Sequence, residues 1–178
     1  MQSKTISGVT IECVKGDITS QPDLDAVVNA ANAQLHPGGG VAGAIHRAAG
    51  PELDEICRPL APIRPGEAVI TSACKLPNKY VIHALGPVYG ADNPSDTLLS
   101  EAYRNSLARA EEAGLTSVGF PALSTGAFGY PMEEAAAVAL KTIAEEAAKL
   151  KTVGLVRMVL FGSRDVEIHE KALAQLET

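Results

Sequence analysis

From residue 117 onward the chain alternates short apolar runs with amphipathic ones. Residues 117–121 read as a buried strand, 132–151 as an Ala-rich helix, 155–161 as a strand and 166–176 as a closing helix. Neighbouring parallel strands need a crossover that returns the chain to the same edge of the sheet, and a helix supplies it. This order therefore calls for an α/β fold with a largely parallel sheet between helices. The first half adds other elements. Residues 5–14 alternate loosely, and Ile6, Val9 and Ile11 break strict period two, so a turn or bulge is expected near Gly8. Residues 25–29 suit a buried strand, 32–40 a loop, and 41–49 a helix that stops at Gly50-Pro51. A second short helix can start at Pro51, with Glu52, Asp54 and Glu55 at its positive end. Residues 67–73 and 80–85 form two strands joined through Pro77 and Asn78 without a helix between them, which makes the sheet mixed. Residues 96–114 read as a helix opened by a capping Asp or Ser and closed by Gly114. The expected architecture is a three-layer α/β/α sandwich forming one domain over 1–178.

Composition narrows the function. Hydrophobic residues make up 46% and charged residues 20% of 178 positions, enough to bury a core. A net charge of −6 argues against sequence-independent binding to long nucleic acid, which requires many Lys and Arg on phosphates. An anion-binding site in such a chain has to draw on backbone N–H groups. Cys13, Cys57 and Cys74 show no CxxC pair and read as buried or idle thiols of a reducing compartment. His36, His46, His83 and His169 are scattered without metal-ligand spacing, so no metal site is expected. His83 reads as a satisfied core histidine and His46 as a helix-surface or structural residue. No stretch resembles a secretory leader or a membrane span, and the expectation is a cytoplasmic monomer. Aromatics are only 4%, with no Trp, so an exposed aromatic near a loop carries information.

Two glycine-rich loops carry the chemistry. HPGGGVAGAIH places Gly38, Gly40 and Gly43 in G-x-G-x-x-G spacing, where bare backbone N–H groups and the positive end of the next helix meet an anion. A dinucleotide fold would set an acid about twenty residues on, but the corresponding stretch, 58–64, has none. Gly-Lys-Ser/Thr is missing too, so an NTPase phosphate loop is excluded. PALSTGAFGYP repeats the device after a buried strand, with Ser124 and Thr125 as extra donors and Gly126 and Gly129 permitting a tight turn. Either loop alone is explained by tight turns. Two loops facing one crevice at neighbouring strand ends point to a phosphate site.

GDIT (16–19), DAVVNAAN (25–32), GGGVAGAIHRAAGP (38–51), YVIHALGP (80–87) and PALSTGAFGYP (121–131), taken in order, resemble the macrodomain family, closest to its MacroD-type branch. The resemblance implies a six-stranded mixed sheet and a cleft for ADP-ribose, free or carried on a protein or as O-acetyl-ADP-ribose, with no cofactor. It implies that Asp17 accepts a hydrogen bond from the adenine amino group, with the Ile18 backbone beside it. Asn32 would bond the distal ribose, leaving Asn29 to loop structure. Gly38, Gly39, Gly40 and Val41 would line the distal ribose and its phosphate. Ser124, Thr125, Gly126, Ala127 and Phe128 would wrap the diphosphate, with Phe128 near the distal ribose. Phe161 matches an aromatic that stacks on adenine. From the residues alone, Asp17 is equally a turn or cap residue; Phe161 has a core reading too, but its place at a strand end in a chain so poor in aromatics favours stacking slightly.

One position departs from the branch. Many MacroD-type hydrolases carry an Asp where this chain has Ala42, and that Asp helps to orient the attacking water. Other macrodomains with a GGGVAGA run resemble this chain more at that point. For them the water is placed by the substrate's phosphate, the backbone and the Asn matching Asn32. The catalytic positions would then be Asn32 and the Gly40 backbone, acting by positioning and electrostatics. Three activities stay open: hydrolysis of ADP-ribosyl esters, recognition of ADP-ribose without turnover, and release of phosphate from ADP-ribose 1″-phosphate.

Overall fold

The computed structural model describes residues 2–177. Strands β1 (Gln2–Ile6), β2 (Val9–Lys15) and β3 (Ala26–Ala30) precede helices α1 (Gly40–Ala49) and α2 (Glu52–Cys57). Then follow β4 (Ala68–Ser72), β5 (Tyr80–Ala84), α3 (Ser95–Glu112), β6 (Ser117–Phe120), α4 (Met132–Ala147), β7 (Leu155–Leu160) and α5 (Ser163–Ala174). They build one mixed sheet in the order β1-β2-β7-β6-β3-β5-β4. The five inner strands run parallel, and the edge strands β1 and β4 run antiparallel to β2 and β5.

The sheet has seven strands, where six were expected. The irregularity near Gly8 is a complete two-residue hairpin turn: Ser7 and Gly8 have φ of 50° and 83°, and Ile6 pairs with Val9. Positive φ at both positions gives a turn whose twist matches that of the flanking strands, so the run divides into two strands. A Ser in that conformation gives a weak signal, because Asn or Gly is the usual occupant.

Alternation along the strands sorts side chains into two cores. Ala26 and Val28 of β3 join Ile82 and Ala84 of β5 in the core under α3, α4 and α5. Val27 and Val81 point the other way, into the core under α1 and α2 with Ile45, Ala49 and Leu53. A period of two puts successive residues on opposite faces, and burial on both faces selects continuous apolar runs. Helix α3 starts without the expected side-chain cap. Pro94 holds the capping position, and the Ser95 hydroxyl donates instead to Asp92 O at 2.6 Å. It ends as expected: Gly114 adopts φ of 70°, and the Leu115 N–H returns to Ala110 O at 3.0 Å.

The β3–β6 ladder contains only the pairs Ala26–Val118 and Val27–Gly119. Beyond it β3 continues along β5 as far as Ala30–Ala84, and β6 continues along β7 as far as Phe120–Met158. The carboxyl ends of β3 and β6 are therefore unpaired to each other, and the cleft described next opens there. Open α/β sheets receive ligands outside the carboxyl ends of strands at such a point.

Candidate functional site

A cavity of about 730 Å³ lies across the carboxyl ends of β2, β7, β6 and β3. Its wall is mainly apolar. It contains every site residue expected from the sequence: Asp17 and Ile18 after β2, Asn32 after β3, Gly38, Gly39, Gly40 and Val41 entering α1, Ser124, Thr125, Gly126, Ala127 and Phe128 after β6, and Phe161 after β7. Residues 93 positions apart in the chain thus share one wall because their strands are neighbours.

No Lys, Arg or His is among the lining residues. Positive potential comes from the backbone. The first N–H groups of α1 have no intrahelical acceptor, and the amides of Gly126, Ala127 and Phe128 have no partner among the described residues. The loop after β6 is held in shape from below. The Tyr103 hydroxyl, buried on α3, donates to Pro121 O at 3.3 Å and accepts the Leu123 N–H at 3.1 Å. The Gly129 N–H closes on Gly126 O at 3.0 Å, and the Tyr130 N–H on Ser124 O at 2.9 Å. Ser124 sits at φ of 67°, unusual for a residue with a side chain, and its buried hydroxyl has no partner among the described residues. A Cβ on Gly86 would collide with that hydroxyl, so the bare Gly86 makes room for the Ser124 side chain.

The carboxylate of Asp17 has one oxygen in a turn and the other at the cavity. Its Oδ1 accepts from the Thr19 hydroxyl at 2.7 Å and the Thr19 N–H at 2.9 Å, which makes it a turn residue. These bonds, the hydroxyl's first, hold its carboxyl below the ordinary carboxylate pKa. Oδ2 makes no hydrogen bond among the described residues and remains an ionised acceptor at the cavity. Phe161 is 91% exposed, so it is not a core residue.

Asn32 and Asn29 have separate surroundings. Asn29 is buried, and its Nδ2 lies 3.1 Å from His83 Nδ1, whose Nε2 lies 3.0 Å from the Thr71 hydroxyl. Burial pushes the His83 pKa down to about 3, so the ring is neutral and structural. Asn32 borders the cavity and bonds the backbone of His36 through both polar atoms. His46 is not on the helix surface: it is 6% exposed, neither ring nitrogen has a partner among the described residues, and burial lowers its pKa. Cys13 and Cys57 are buried thiols, pushed by that burial to about 12 and about 11, while Cys74 is partly exposed.

Several wall residues escaped the sequence reading, among them Gly86, Met132, Val159 and Asp165. Asp165, in the first turn of α5, could have been found from the rule that the turn after a strand's carboxyl end faces the cleft. Gly86 had no local signal, because its constraint comes from Ser124. Ala42 lies in the wall at 5% exposure and contributes only a methyl group.

A mixed α/β/α sandwich with a cationless cleft, walled by two glycine loops at the sheet's carboxyl edge, defines the class of protein. The Macro domain family profile matches residues 28–139. A macro domain-containing protein of Chlorobaculum tepidum is 48% identical over 167 residues, spanning 93% of this chain and 96% of the relative. The O-acetyl-ADP-ribose deacetylase of Citrobacter rodentium is 44% identical over 170 residues, spanning 93% of this chain and 96% of its own. The Oceanobacillus iheyensis macrodomain with ADP superposes with a TM-score of 0.93 at 41% identity, over 97% of this chain and 94% of that one. The chain belongs to the macro domain family.

Proposed function

We infer that this chain binds ADP-ribose and hydrolyses ADP-ribosyl esters, either on acidic side chains of modified proteins or in O-acetyl-ADP-ribose. One observation carries the binding reading: two loops of unpartnered backbone N–H groups face one cleft that has an exposed aromatic and a free carboxylate oxygen at its β2–β7 end. The N–H groups suit a diphosphate. Phe161 offers a face to a base, and Asp17 Oδ2 an acceptor to an exocyclic amine. The relative named O-acetyl-ADP-ribose deacetylase and the neighbour solved with ADP support this assignment of ligand.

The hydrolytic step has no carboxylate at position 42, so it rests on placing a water. Asn32 is suited to that. One Nδ2 hydrogen and one Oδ1 lone pair are committed to His36, which fixes the amide and leaves the second Nδ2 hydrogen as an oriented donor on the Gly38 side of the cleft. A donor held in place bonds a ribose hydroxyl and orients it, while the N–H groups around Gly40 balance developing charge. Turnover on ADP-ribosyl-glutamate beside O-acetyl-ADP-ribose tests the reading. Release of ADP-ribose or acetate, abolished in Asn32→Ala, is expected.

The Ala42 methyl favours a second reading, a module that binds ADP-ribose without cleaving it. Calorimetric binding of ADP-ribose with no release from either ester at micromolar protein would establish that reading and remove the first.

A further inference from the structure

Beside the cleft lies a second hollow of about 640 Å³, lined by residues that include Tyr89, Tyr130, Asp96 and Glu134. The segment between the two is short: Phe128 lines the cleft and Tyr130 lines the hollow. The Tyr89 N–H donates to Phe128 O at 2.9 Å, joining the walls of the two.

The chemistry of this hollow is cation-seeking. Tyr89 is 44% exposed, in a chain poor in aromatics, and its ring meets Tyr130 at a 4.7 Å centroid distance with the planes tilted by 55°. Tyr130 is 4% exposed as a residue, but its hydroxyl reaches solvent at the hollow and makes no hydrogen bond among the described residues. Asp96 and Glu134 line the same hollow as that ring, and burial, then these two carboxylates, push the pKa of the hydroxyl up. Glu134 accepts only a long bond from the Tyr89 hydroxyl, at 3.3 Å. Among the described residues no Lys, Arg or His pairs with Asp96 or Glu134, whereas the adjacent Glu133 meets Arg164 at 3.8 Å. A ring face, an unused phenol oxygen and two unneutralised carboxylates match a guanidinium or ammonium group.

We propose that the Tyr89–Tyr130 hollow receives an arginine or lysine side chain of the protein whose ADP-ribosyl group occupies the cleft. The inference rests on the ADP-ribose reading, in which the distal ribose, and so the attached polypeptide, leaves the cleft at Phe128. It makes the hollow a specificity site: modified side chains flanked by basic residues are preferred over the same modification in a neutral sequence.

The test uses peptides that carry ADP-ribose through a hydrolysis-resistant amide linkage, with Arg or Ala placed in turn at each position near the modified residue. Titrations cover the wild-type protein, Glu134→Gln and Tyr89→Ala, with free ADP-ribose alongside. In at least one register the Arg peptide binds five-fold or more tighter than its Ala counterpart. That gain falls below two-fold in either variant and shrinks with added salt, while free ADP-ribose binds all three proteins alike. Equal binding of Arg and Ala peptides in every register overturns the specificity site and leaves the ADP-ribose reading intact. So does a gain that survives both substitutions. Failure of free ADP-ribose to bind the wild-type protein overturns both readings.

Discussion

The side chain of Asn32 grips the backbone of His36 at both ends: Nδ2 donates to His36 O at 2.8 Å, and Oδ1 accepts the His36 N–H at 3.0 Å. The His36 ring is in turn held to Asp54 on α2, with Nδ1 3.1 Å from Oδ1. The amide cannot flip without losing both bonds, so the second Nδ2 hydrogen stays a donor on the Gly38 side. Asn32→Ala removes that donor and frees the loop into α1. Ester hydrolysis should become undetectable and ADP-ribose affinity should fall about tenfold, the loss of one or two hydrogen bonds. Asn32→Asp keeps an acceptor for the His36 N–H and loses the donor. If it hydrolysed the ester as fast as wild type, the amide donor would have no part in the reaction.

Ala42 lies in the cleft wall one turn before His46. Ala42→Asp sets a carboxylate at the mouth of the glycine loop, where it can orient a water. The rate constant for ADP-ribosyl-glutamate hydrolysis should rise tenfold or more, with little change in ADP-ribose affinity. An unchanged rate under single-turnover conditions would mean that water is already placed as well without it.

Gly86→Ala puts a methyl group against the Ser124 hydroxyl and within 3.3 Å of Ser124 Cβ. The hydroxyl must turn away and the tight Cβ contact must open, which strains the loop that carries the amides of Gly126, Ala127 and Phe128. Calorimetry should show ADP-ribose binding weakened by at least tenfold while far-ultraviolet circular dichroism stays unchanged. Wild-type affinity in this variant would show that the loop adapts without loss.

Phe161→Ala removes a ring that the fold does not bury, so the unfolding temperature should not move. If the ring stacks on adenine, ADP-ribose affinity falls by about 1–3 kcal/mol. Ribose 5-phosphate, which has no base, should bind both proteins equally.

Glu111 holds the chain between α4 and β7. It accepts the N–H groups of Lys151, Thr152 and Val153 and the Thr152 hydroxyl, all between 2.8 and 3.1 Å. Partial burial pushes its pKa up, but these bonds outweigh it and bring the carboxyl from 4.5 down to about 2. A pKa depressed in the folded state gives stability that is complete above the unfolded value, near 4.5, and lost as pH falls towards 2. Glu111→Gln should lower stability at pH 7 by about 1–2 kcal/mol, after allowance for solvent, and by much less at pH 3. Melting temperatures of the two proteins at both pH values read the difference. A gap that did not narrow in acid would rule out the carboxylate as its source.

Much of the architecture was legible because it is locally encoded. β7 and α5 are visible in the switch from continuous to helical apolar spacing around Phe161. The loop that contains Gly126 announces itself by its composition. What stayed hidden depends on partners far along the chain. Ser7 turns the chain back although it is not the expected glycine, and the pairing of Ile6 with Val9 is what reveals the seventh strand. His46 has the spacing of either face of α1, and only the docking of that helix decides that it is buried.

By itself the sequence determined the order of strands and helices, the two glycine loops, and the missing carboxylate at Ala42, since each depends on neighbours within a few residues. The tertiary structure alone decided the strand order that sets Thr10 beside Leu155 and Ala26 beside Val118. It also decided that Asp17, Asn32, Gly126 and Phe161 share one cleft. The physical reason is that ladder pairing and burial are non-local: no residue's own chemistry says which distant strand will lie beside it. The same holds for Tyr89 and Tyr130, 41 positions apart in the chain, whose rings meet where the Tyr89 N–H bonds Phe128 O.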